Sequence, residues 1–183
     1  LDLIPKDQTM TFRHLADMVS GYARGEPPGQ AWAYNDYGIR LYVKLMEYIF
    51  GQTLETVLQQ RMGMLQFEDG PLFTSRQGYG ISTTPRDFAR IGWFWLNKGN
   101  WAGQQLLAQN FFDQFVHPDV SVTLPRTAIN GTDYLGIGTQ GGGSDQTPYG
   151  PGIYGFNWWY NALGPNGLLT YPDAPLDLSV ANG

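Results

Sequence analysis

Cysteine is absent from the 183 residues and histidine occurs only twice. Disulfides and thiolate chemistry are therefore excluded. The two histidines, His14 and His117, stand in no H-x-x-x-H or H-E-x-x-H pattern, so each reads as a structural residue and no metal site is expected. Positive charge is also scarce, with 11 Lys and Arg against 16 Asp and Glu and a net charge of −5. Without a basic stripe, nucleic acid is not an expected partner. No apolar run reaches the length of about 18 residues that a membrane-spanning helix needs. "GGGS" at 141–144 lacks the lysine and the spacing of a P-loop, and no G-x-S-x-G nucleophile elbow occurs. The first residues, "LDLIPKDQTM", lack the basic-then-apolar pattern of a signal peptide, and the chain reads as cut from something longer. Lack of cysteine does not fix the compartment. A periplasmic or secreted address is the favoured expectation.

Large rings are abundant: six Trp, eleven Tyr and ten Phe. They can fill a core or line a groove for a ligand. The spacing of apolar residues predicts a short helix over 12–19, with Thr11 as N-cap and Gly21 as its stop. Residues 37–50 read as the strongest helix. Its apolar side chains leave only a narrow polar strip of Arg40, Lys44 and Glu47, the pattern of a buried helix, and Gly51 follows in the C′ position. Thr53 opens a further helix, "LETVLQQRM". Thr84 as N-cap, Pro85 at the first helical position and Asp87 near the N-terminal dipole open another, which Gly99 ends. A last helix is expected over 109–116.

From Ser121 onward the texture is rich in Gly, Pro and β-formers. It predicts loops and short strands, the clearest strand over 155–161, with a long irregular loop at 139–152. One α+β domain is expected, helical over 9–118 and built of loops and strands over 119–183.

Three stretches stand in order: "TFRHLADMVSGY", "PGQAWAYNDYGIRLYVKLMEYIFGQTLETVLQQRM" and "GYGISTTPRDFARIGWFWLNKGNWAGQQLL". Together they resemble the serine β-lactamase-like hydrolases, which include class C β-lactamases, family VIII carboxylesterases, D-aminopeptidases and 6-aminohexanoate-dimer hydrolases. The matching positions are Ser20-Gly21, Pro28-Gly29, Trp32, Tyr34 to Asp36, Gly51-Gln52 and Gly80 to Arg90. The agreement covers about residues 9–118, with a weaker echo in "YGFNWWYN".

The resemblance implies a β-lactamase/transpeptidase-like fold, of which this chain would supply most of the helical subdomain and strands leading to an incomplete antiparallel sheet. It also implies acyl transfer through a Ser-x-x-Lys serine, on esters, acyclic amides or β-lactams, with no cofactor or metal. Tyr34 matches the family's catalytic tyrosine, whose phenolate needs cationic neighbours because an ordinary tyrosine titrates near ~10. The structural alternative for Tyr34 is a half-buried ring at a helix entry.

Asp36 stands where the family usually has Asn. An ionised Asp can accept from a lysine but cannot donate to a substrate carbonyl, which leaves esters and acyclic amides more open than β-lactams. Asp36 can equally serve as N-cap of the helix at 37–50, and the two roles can coexist. Trp158 and Trp159 either border the active-site cleft or pack in the core.

None of Ser20, Ser75, Ser82, Ser121, Ser144 and Ser179 is followed by lysine three residues on. The family's Ser-x-x-Lys and its Lys- or His-x-Gly motif are expected in segments of the same parent protein on either side. The chain alone is expected to be inactive. A non-catalytic binding module with an aromatic, Gly-rich loop surface is the alternative from another class.

Overall fold

Thr11 and His14 open the first helix by bonding each other's backbone. The computed structural model describes residues 1–74, 80–128, 130–138 and 150–181. Helix α1 spans Phe12–Ala16; Thr11 Oγ1 accepts from the His14 N–H and His14 Nδ1 accepts from the Thr11 N–H, both at 3.2 Å. Two donors that the helix start leaves orphaned are thereby satisfied.

The helix is shorter than the 12–19 expectation. Met18 adopts φ 59°, and the Val19 N–H bonds His14 O (2.9 Å) while the Met18 N–H bonds Leu15 O (3.2 Å). That is a Schellman ending with methionine where glycine is usual. It turns Met18 and Val19 into the core rather than along the helix.

Helix α2 spans Asp36–Phe50, and Gly51 at φ 63° closes it as expected, with the Gln52 N–H on Glu47 O at 3.3 Å. Only its first part is buried, contrary to the sequence reading. Leu41 and Val43 are covered, whereas Tyr48 and Ile49 are 85% and 58% exposed. Apolar character around a helix reports what it could bury, and the last turn here does not bury it. Helix α3 spans Leu54–Met62, capped by Thr53.

The described residues form two compact units, and the boundary between them falls inside α2. The unit Val43–Gln114 contains α3, the hairpin of β1 (Phe73–Thr74) and β2 (Ile81–Ser82), and helix α4 (Pro85–Leu96). It continues with the hairpin of β3 (Asn100–Trp101) and β4 (Gln104–Gln105) and then α5 (Gln109–Phe115) up to Gln114. Thr84 caps α4 as expected. Asp87 does more than face the dipole: fully buried, it accepts from the Glu68 and Asp69 N–H groups at 2.9 and 3.0 Å.

The other unit joins Leu1–Tyr42 to Phe115–Gly183. Its sheet has the order β5 (Tyr154–Gly155), β6 (Trp158–Tyr160), β7 (Ser179–Val180), all antiparallel. The single strand expected over 155–161 is thus a hairpin. Phe156 and Asn157 form its two-residue loop at φ 49° and 66°, the hand that matches the twist of the flanking strands. The core of this unit gathers Met18, Val19, Trp32, Val120, Ile153, Tyr154 and Trp159. No helix among the described residues is long and apolar enough to cross a membrane. Of the loop expected at 139–152, residues 139–149 lie outside the described residues.

Candidate active site around Tyr34

Residues 31–34 run extended between two neighbours. The Ala33 N–H bonds Met18 O, the Trp32 N–H bonds Pro125 O and Trp32 O accepts from Thr127, each at 2.9 Å. Glycines of the stretches quoted above shape the turn that precedes this run. Gly21, at φ 67°, lets the Glu26 carbonyl oxygen approach to 2.2 Å of where a Cβ would stand. Gly29, at φ 80°, donates its N–H to Val19 O at 2.7 Å. Trp32 is wholly buried.

Asn35 then starts α2. Its Oδ1 accepts from the Gly38 N–H and its Nδ2 donates to Ala33 O, both at 2.9 Å. Asn35 is therefore the N-cap, and Asp36 is the first helical residue, which corrects the reading of Asp36 as cap. The amide can satisfy a backbone donor and a backbone acceptor together, which a carboxylate cannot. Asp36 is left with its charge beside the positive end of the helix, a favourable placement.

Tyr34 is half-buried on a shelf of rings. Its centroid lies 5.2 Å from Trp159 at an interplanar angle of 38°, and 5.9 Å from Tyr154 at 81°. Behind it Tyr154 and Trp159 pack edge-on at 4.6 Å, and Trp32 meets both at about 6 Å. The structure thus brings Tyr34, Asp36 and Trp159 into one neighbourhood. Trp158 is half-buried and, as the adjacent residue of β6, stands on the opposite face of the strand.

Burial pushes the Tyr34 phenol above its ordinary value, and the Asp36 carboxylate pushes it further in the same direction. Both effects favour the neutral phenol, a hydrogen-bond donor and acceptor. A proton-accepting role near neutral pH requires a cation brought within about 4–6 Å of the oxygen to reverse this. Tyr154 is raised more strongly, by burial first and then by Tyr34 and Asp17.

Two features escaped sequence reading. Asp17 is a buried carboxylate at the end of α1, with nothing in its local pattern to mark it. Arg126 lies over the Trp32 ring with Cζ at 5.2 Å from the centroid, and it lines a pocket of about 390 Å³ with Gly150, Ile153, Asn166, Leu168 and Leu169. No group of three or more His, Asp or Glu side chains among the described residues could hold a metal ion. His14 serves the α1 cap, in keeping with its structural reading. In comparisons with known proteins, the sequence matches no protein-family model and no curated protein.

Proposed function

We propose that the chain is the central portion of a serine hydrolase that works through an acyl-enzyme, with Tyr34 as the proton-transfer residue. The observation that carries this reading is a half-buried tyrosine directly before a helix start capped by Asn35, with the Asp36 carboxylate acting on its phenol, inside the ordered motifs of residues 9–118. The fold proposed with it is β-lactamase/transpeptidase-like. A Ser-x-x-Lys segment of the parent protein supplies the nucleophile and the cation that lowers the tyrosine's pKa. Asp36, acceptor-only when ionised, directs the enzyme toward esters and acyclic amides rather than β-lactams.

Fluorophosphonate labelling tests the reading. A parent protein with Ser-x-x-Lys should acylate on that serine, and the 183-residue chain alone should not. Robust labelling of any serine within the 183 residues contradicts it. A second reading, a non-catalytic binding module, draws support from the pocket beside Arg126, whose volume of about 390 Å³ suits a small molecule. Saturable ligand binding by a parent protein that no fluorophosphonate labels favours that reading.

A further inference from the structure

The end of α1 and the tip of the β5–β6 hairpin meet at the Asp17 carboxylate. Asp17 is 4% exposed, and its Oδ1 accepts from the Phe156 N–H at 2.7 Å. One residue away, the Asn157 N–H bonds Ala16 O at 2.9 Å. Arg13 Nε lies 2.8 Å from Asp119 Oδ2 and 3.6 Å from Asp17 Oδ2, so two carboxylates crowd one guanidinium. Asp119 is anchored in turn, its N–H bonding Tyr154 O at 3.2 Å. The Phe156 ring stacks on Phe115 at 5.3 Å, and Arg13 lies over that same Phe115.

We propose that Asp17, crowded by the Asp119 carboxylate, takes up a proton and forms a pH-sensitive clasp that fixes the tip of the β5–β6 hairpin to the end of α1. Two ionised carboxylates on one guanidinium repel each other, and a proton on the buried Asp17 relieves the repulsion. The groups facing the pair are Arg13 from α1, Tyr154 from β5 and Tyr160 from β6. Arg13 is the cation among them that opposes protonation; both tyrosines are raised and stay neutral. Burial lifts the Asp17 carboxyl to about 6; the Phe156 N–H opposes the rise and the Asp119 carboxylate adds to it.

The folded pKa exceeds that of the unfolded chain. The clasp's contribution is therefore complete below pH ~4 and is lost as pH rises to about 6 and beyond. The hairpin it fixes carries Tyr154 and Trp159, the two rings against which Tyr34 packs.

Side-chain carboxyl ¹³C NMR of the 183-residue chain, followed together with hydrogen exchange at the Phe156 amide, tests the proposal. Asp17 should titrate near 6. Phe156 protection, corrected for intrinsic exchange, should fall about tenfold or more between pH 5 and 7, the loss expected for a unit or more of linked pKa shift. Asp119→Asn should move the Asp17 midpoint down, since the like charge is gone and Arg13 serves one carboxylate. Asp17→Asn should make Phe156 protection independent of pH over that range. Titration of wild-type Asp17 at an ordinary carboxylate value, or Phe156 protection indifferent to pH, overturns the clasp, and both are read on the wild-type chain even if a variant fails to fold.

Discussion

The ring of Tyr34 lies 5.2 Å from that of Trp159 and is tilted 38° from it, so the hydroxyl proposed for chemistry sits on a side chain packed into the core. Such a ring would lose little freedom in the proposed reaction, because packing has already fixed it. The same burial, together with Asp36, holds the phenol neutral.

In the 183-residue chain the Tyr34 Cζ resonance should therefore titrate at higher pH than an ordinary tyrosine. Asp36→Asn should bring the midpoint partway back, because it removes the charge but leaves the burial. The folded value exceeds the unfolded one, so stability falls as pH climbs past ~10. A Tyr34 that titrates at the ordinary value in both proteins contradicts the electrostatic account.

Asn35→Ala removes the cap and leaves both the Gly38 N–H and Ala33 O without the side-chain partner they have now. The expected loss is about 1–2 kcal/mol in urea denaturation. Asn35→Asp should lose less, since a carboxylate still accepts from Gly38 and favours a helix N-terminus. Equal losses for the two variants would show that the donor half of the amide carries the effect.

Gly21→Ala and Gly51→Ala separate steric need from backbone preference. Both glycines have φ above 60°. A Cβ at Gly51 meets nothing within 4 Å, so only the left-handed strain of about 1–2 kcal/mol is expected. At Gly21 the added carbon would stand 2.2 Å from the Glu26 carbonyl oxygen, so the segment must move and the loss should be clearly larger. Thermal unfolding of the two variants side by side gives the comparison.

Helix starts were legible in the sequence because their signals are local. Thr11, Thr53 and Thr84 each accept from the N–H three residues on, as their positions predicted. The ends were less so. Gly51 closed α2 as read, but α1 closes at Met18, a residue that carries no left-handed signal and is turned by the burial of its own side chain. The hairpin at 154–160 was hidden for the same reason, since Phe156-Asn157 lacks the glycine that usually marks a two-residue turn. At the candidate site, Tyr34 and Asp36 were found from their neighbours in sequence. Asp17, Asp119 and Arg126 were not, because they reach their partners through contacts far apart along the chain.

Proton transfer by Tyr34 during ester or amide hydrolysis is the step on which the proposed function rests. Its most direct test is kcat on a p-nitrophenyl ester for Tyr34→Phe against wild type, in a parent protein that carries Ser-x-x-Lys. The ring contacts with Trp159 and Tyr154 survive this substitution, so unfolding temperature should change little. A fall in kcat of about 10²–10⁴-fold is expected, the usual worth of a positioned acid–base group. A rate left intact would make Tyr34 a packing residue and contradict the account.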